Sequence, residues 1–224
     1  MSNENAIDET RSIVQKRIES GDAMGWFDVV YQRAQNDADA VPWACCEPRP
    51  AFANWLRNHP LDGTGKTACV IGCGLGDDAE ALAACNFQVT AFDIAPTAVS
   101  WSKERFPETT VDYQVADLFD PPSAWHNHFD FVFECFTIQA LPIHMREQTI
   151  QAVMNLVAPE GTLLVVTLGM PSDATPSDDR GGPPWPLLRA EIDLFLNGMS
   201  EVELGVTPPK EDGGRDMWVV EYKK

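Results

Sequence analysis

The chain has 224 residues, 44% of them hydrophobic, and 16 lysines and arginines stand against 34 aspartates and glutamates, a formal charge of −18. That length supports one large α/β core or two small ones, and the charge argues against nucleic acid and anionic membranes, which would repel the chain before contact. A small partner molecule is expected. With six lysines and 19 aspartates the surface suits high salt, although plain solubility explains the same numbers.

Six cysteines (Cys45, Cys46, Cys69, Cys73, Cys85, Cys135) follow no secretory signal, and the core is apolar enough to stand without disulfides. Reduced thiols, a cytoplasmic location and a monomer are expected. Cys69 and Cys73 lie across a strand–loop boundary with no histidine pair at ligand spacing, so no metal site is expected. No apolar run approaches the roughly 20 residues of a membrane span.

In chain order, residues 1–24 are polar with a weak helical pattern (Ile13, Val14, Ile18), read as a loosely held helix or a partly disordered lead. Residues 25–35, GWFDVVYQRAQ, predict an amphipathic helix. The Pro-punctuated stretch 41–50 predicts a loop, and 51–59 a second helix. From residue 66 short β-rich runs alternate with helical segments: strands ACVIG, FQVTAFD, VDYQVAD, FDFVFEC and GTLLVVTLG, with helices DDAEALAAC, PTAVSWSKERF and MREQTIQAVMNLV between them. Such alternation predicts right-handed βαβ units and a doubly wound parallel sheet over 66–169, with helices on both faces. Residues 170–184 predict a surface loop of lid length. A helix over 185–198 and two more strands, SEVELGV and DMWVVEY, complete a mostly parallel seven-stranded α/β sheet with an antiparallel last strand.

The first strand runs into Gly72-Cys73-Gly74-Leu75-Gly76, a loop that lets backbone approach a ligand closely. A dinucleotide fingerprint needs its third glycine at 77, where this chain has Asp77, followed by Asp78. Two carboxylates there repel a pyrophosphate and suit a cationic or zwitterionic ligand. S-adenosylmethionine, with a sulfonium, an ammonium and no phosphate, meets that requirement. Asp93 ends the second strand, where a carboxylate accepts from both ribose hydroxyls. Asp117 in VADLF is placed to accept from an adenine amino group, or instead to cap a turn, with Leu118 and Phe119 as ring contacts. Glu134 and Cys135 end the fourth strand.

On these segments the chain resembles the class I S-adenosylmethionine-dependent methyltransferases. VIGCGLGDDAEALA is similar to their first motif, VTAFDIAPTAVSWS to the ribose segment, VADLFD to the adenine segment and FDFVFECFTIQALP to the fourth-strand motif. The resemblance implies a Rossmann-like fold, S-adenosylmethionine as cofactor and a small-molecule methyl acceptor. It implies cofactor contacts from Gly72, Cys73, Gly74, Gly76, Asp77, Asp93, Ile94, Asp117, Leu118, Glu134 and Trp43. Many relatives carry an acidic residue where this chain has Val70, so the methionine ammonium falls to Glu134, Asp77 or a backbone carbonyl.

The flanks (Trp26, Tyr31, then Pro42, Trp43, Pro48 and Pro50, and LPIHMR after the fourth strand) are similar to the thiopurine and halide/thiol methyltransferase branch. This implies an N-terminal helical segment, residues 1–60, covering the active site of a methyltransferase domain at 61–224. Trp26 and Tyr31 are then acceptor-pocket residues, with Thr137 and Arg146 on the substrate side and Gln139 along the channel; core aromatics and an Arg146 ion pair are the plainer readings. No strong base stands out, so a thiol or other soft nucleophile is expected; an alcohol or amine would require Glu134 or His144 to take its proton. A nicotinamide oxidoreductase lacks its glycine and its catalytic set here. An O- or N-methyltransferase, or a protein that only binds the cofactor, has the same loop.

Overall fold

The computed structural model describes residues 13–224 except 15, 19, 171–181 and 209–214. Among them the helices are α1 (Trp26–Ala34), α2 (Pro50–Asn58), α3 (Asp77–Ala83), α4 (Pro96–Arg105), α5 (Thr137–Ala140), α6 (Arg146–Leu156) and α7 (Arg189–Ile192). The strands are β1 (Thr67–Ile71), β2 (Gln88–Asp93), β3 (Asp112–Val115), β4 (Phe129–Cys135), β5 (Val157–Gly169), β6 (Ser200–Thr207) and β7 (Asp216–Lys223). They form one sheet in the order β3-β2-β1-β4-β5-β7-β6. The pairs from β3 to β5 are parallel, and β7 runs antiparallel to both β5 and β6. This is the expected doubly wound α/β architecture.

Strand alternation divides the interior into two cores. Cys69 and Ile71 of β1 and Leu163 and Val165 of β5 face one side, with Ile150, Val153 and Met154 of α6 and with Phe195 and Tyr222. Their neighbours Ala68, Val70, Leu164 and Val166 face the other, with Leu82 of α3, Val99 of α4 and Phe52 and Trp55 of α2. Runs such as Ala68–Ile71 therefore read as continuously apolar, because both faces are covered.

Helix α2 belongs to the second core: Phe52 is fully buried and its ring stacks 4.1 Å from Phe133. Helix α2, inside the expected N-terminal segment 1–60, thus packs as part of a sheet core. Residues 24–47 instead build their own aromatic cluster. Trp43 meets Trp26, Phe27 and Tyr31 edge-on at 5.8, 6.4 and 5.7 Å, and buried Val14 packs with Trp26 and Val30. The Asp28 carboxylate of α1 accepts from Thr97 N–H at 2.9 Å, tying this segment to the start of α4.

Three expectations are corrected. β3 stops at Val115, so Asp117 lies two residues beyond the strand. The 185–198 stretch is no single helix: Leu187 bridges to Gly169, α7 is one turn, and a 3₁₀ helix covers Asp193–Asn197. α5 and a 3₁₀ turn at Ile143–Met145 form where no helix was expected. The expected lid over 170–184 falls mainly on 171–181, outside the described residues. No helix among the described residues is long and apolar enough to cross a membrane.

Candidate cofactor and acceptor cavity

The carboxyl ends of β1 to β5 open into a cavity of about 590 Å³, within the size range of small-molecule sites. Its floor is the glycine loop. Gly72 has φ +59°, and a Cβ there would stand 2.4 Å from Thr137 Oγ1; at Gly76, φ +92°, a Cβ would meet the Tyr113 hydroxyl at 2.4 Å. Only glycine satisfies both the dihedral and the space at these two positions.

The loop is held from the second βα unit. Asp93 Oδ2 accepts from Gly74 N–H at 3.0 Å and its Oδ1 from Ala95 N–H at 2.9 Å. Ser102 Oγ donates to the Gly74 carbonyl at 2.8 Å, and Arg105 Nη1 to the Leu75 carbonyl at 2.5 Å. Arg105 also clasps Asp77 with both guanidinium nitrogens, at 2.6 and 2.8 Å. This revises the charge argument: Asp77 is neutralised by Arg105, and the negative field at the loop comes from Asp78, Asp93 and Asp117. Asp78 accepts from Arg49 N–H at 2.7 Å, and burial pushes its carboxyl up to about 6. Burial also pushes Asp93 up to about 6, against the lowering effect of its two backbone N–H partners.

Gly72, Cys73, Gly74, Gly76, Asp77, Asp93, Ile94, Asp117, Leu118 and Trp43 all line the cavity, as do Trp26, Tyr31, Thr137 and Gln139. Trp43 Nε1 donates to the Tyr31 hydroxyl at 2.8 Å. Burial, then the nearby Asp93 charge, holds the Tyr31 phenol well above its usual range, so it stays protonated.

Three expected residues do not reach the wall. Glu134 is fully buried beneath it, and its Oε1 accepts from Thr137 N–H at 2.7 Å and Ile138 N–H at 2.9 Å. That carboxylate closes the turn into α5, where Phe136 takes a left-handed φ of 65°. Burial pushes it up to about 7. His144 is exposed on the 3₁₀ turn beyond α5. Arg146 is buried, donating to the Ile138 and Trp185 carbonyls and standing 3.6 Å from Glu191, so it braces α5 and the segment ahead of α7. Glu134 and His144, expected as bases, Glu134 as a cofactor contact and Arg146 as a substrate contact are thus not among the described residues that line the cavity.

Sequence reasoning missed the brace made by Ser102 and Arg105, although both lie on one face of α4 at i, i+3 spacing. It also missed Arg49, which donates to the Trp43 carbonyl at 2.8 Å and lies 4.7 Å over the Phe136 ring. No local pattern marks a loop arginine of that kind. Among the described residues the grouped histidine and carboxylates, His59, Glu203 and Glu221, stand at the β6–β7 edge, and none lines the cavity.

The donor set fits S-adenosylmethionine. Asp93 and Asp117 line the cavity, Asp117 also capping its turn by accepting from Phe119 N–H at 2.8 Å, the glycine loop is kept open by backbone conformation, and among the described lining residues Arg49 is the cation, with no lysine or histidine.

A family model described as a methyltransferase domain matches residues 69–161. The chain is 26% identical over 193 residues to a probable thiol methyltransferase 2 of Arabidopsis thaliana, covering 85% of this chain and 79% of that one. It is 28% identical to a thiopurine S-methyltransferase of Vibrio campbellii, over 73% of this chain and 77% of the relative. A ubiquinone biosynthesis O-methyltransferase of Xanthomonas campestris pv. campestris is 34% identical, over 44% of this chain and 41% of its own. Among solved structures, the N-methyltransferase NodS of Bradyrhizobium japonicum in complex with S-adenosyl-L-homocysteine superposes with a TM-score of 0.65 at 19% identity, covering 87% of this chain and 98% of that one.

Proposed function

We propose that this chain, a class I S-adenosylmethionine-dependent methyltransferase acting on a small molecule, passes the methyl group to sulfur. The observation that carries this reading is the make-up of the acceptor side. Asp117, Asp93 and the glycine loop occupy the β3, β2 and β1 ends, which leaves the β4 and β5 ends for the acceptor. Met24, Trp26, Phe27, Ala140, Leu141 and Leu168 form that side, and neither Glu134 nor His144 joins them.

Among the described residues of that apolar patch none is a base, although Glu47 and Asp78 line the same cavity. A thiol, ionising near pH 8.5 in its free state, needs none, whereas an aliphatic alcohol does. The cofactor supplies an activated methyl carbon; the chain supplies alignment and a dry chamber. Asp93 and Asp117 would hold the nucleoside, and the glycine loop would receive the methionine portion. The segment before Pro50 covers both ligands through Trp26, Tyr31 and Trp43. The thiol and thiopurine relatives support the sulfur assignment.

A screen reading S-adenosylhomocysteine release with thiols, thiopurines, halides and phenols tests it. Thiols are expected to react fastest; a response from oxygen acceptors alone overturns the sulfur assignment. The ubiquinone O-methyltransferase relatives favour that second reading, and the phenol arm addresses it.

A further inference from the structure

Among the described residues the side-chain N–H of Gln139 meets no hydrogen-bond acceptor. The residue is 2% exposed and lies in the cavity wall on α5. Its Oε1 accepts from Leu168 N–H at 2.6 Å and from the Thr167 hydroxyl at 2.9 Å. A backbone N–H can only donate, so the side-chain atom facing Leu168 is the oxygen and the amide orientation follows. Its NH₂ group is thereby turned from β5. Among the described residues it meets no acceptor, and the neighbouring wall is apolar: Ala140, Leu141 and Leu168, with Trp26 and Phe27.

The place of this donor matters. α5 abuts the first glycine of the loop, since a Cβ on Gly72 would touch Thr137 Oγ1. The carboxylates expected to hold the nucleoside stand on the opposite flank, at β2 and β3. Gln139 therefore borders the acceptor side, where its amide N–H is open to the cavity and a negatively charged acceptor gains most from it.

We propose that the Gln139 amide donates to the nucleophilic atom of the methyl acceptor and binds it as an anion. This selects thiols and phenols, whose proton goes to solvent, over amines, which are cationic at neutral pH. The proposal rests on the methyl-transfer reading but not on sulfur as the acceptor atom.

The test titrates 4-nitrophenol, whose phenolate is coloured, in the complex with saturating S-adenosylhomocysteine. The wild-type protein is expected to lower the apparent pKa of the bound phenol by about one unit, a tenfold preference for the anion. Gln139→Met removes the donor without adding charge and is expected to abolish the shift. Gln139→Glu keeps an oxygen for Leu168 and Thr167 and is expected to raise the value above that of free phenol. Calorimetric S-adenosylhomocysteine affinity within about threefold of wild type shows that each variant is folded; a structural role alone would not move the phenol's ionisation. Failure of the phenol to bind, absence of a shift in the wild type, or an unchanged shift in both variants overturns the proposal. If the shift is present while thiophenol is not methylated, the sulfur assignment falls and the role of Gln139 stands.

Discussion

At the scale of single residues, a carboxylate's work depends on what its two oxygens meet. Asp93 spends one lone pair on Gly74 N–H and another on Ala95 N–H, and still lines the cavity. Asp93→Ala leaves both N–H groups unpaired and is expected to cost about 1–3 kcal/mol. The chain should stay folded by circular dichroism and lose S-adenosylhomocysteine binding by at least a hundredfold in calorimetry; retained affinity takes Asp93 out of the site.

Glu134 is the contrasting case, because among the described residues no hydrogen-bond donor meets its buried Oε2. Burial raises its folded-state value from 4.5 to about 7, so the folded protein holds this proton more tightly than the unfolded chain. The associated stability is full below pH 4.5 and is lost as the pH rises through 7. Its size is about 3 kcal/mol, at roughly 1.4 kcal/mol per pH unit. Urea unfolding between about pH 5 and 7.5 should show wild type losing more stability than Glu134→Gln; equal slopes refute this.

At the scale of elements, the cofactor loop is braced by α4, which reaches across to it. Arg105 links the last turn of α4 to the Leu75 carbonyl and to Asp77, the first residue of α3. The pair is partly exposed, with 21% and 15% of the two side chains accessible, so its loss is discounted for solvent screening. Arg105→Met is expected to cost about 1–3 kcal/mol and to weaken S-adenosylhomocysteine binding several-fold. A binding constant equal to wild type would show that the loop needs no brace. α5 obeys the same logic: four residues held by Glu134 beneath and Arg146 behind carry Thr137 and Gln139 to the wall.

At the scale of the whole molecule, the −18 charge opposes the compact state. At about 0.1 M, salt largely screens repulsion between exposed charges more than roughly 10 Å apart. The melting temperature is therefore expected to rise as sodium chloride is raised from about 10 mM to 0.5 M at fixed pH. A falling curve would mean that surface pairs such as Arg189 with Asp193 and Glu201, at 2.8 and 2.6 Å, outweigh the general repulsion.

The βαβ order and the cofactor loop were legible in the amino-acid sequence because their signals are local. Alternating strand and helix periods report burial on two faces, and glycines at 72 and 76 report left-handed backbone in space that a Cβ would fill. That Asp93 and Asp117 line the cavity followed from their places at the end of β2 and just after β3. Which way each remaining polar side chain turns was decided only by tertiary structure. Asp77 is neutralised by an arginine 28 positions away, Glu134 is folded under the wall, His144 is left outside it, and Gln139 is oriented by a strand 29 positions on. Those partners meet because the sheet places β4 beside β5 and α4 beside the loop. Spacing along the chain carries no record of such encounters.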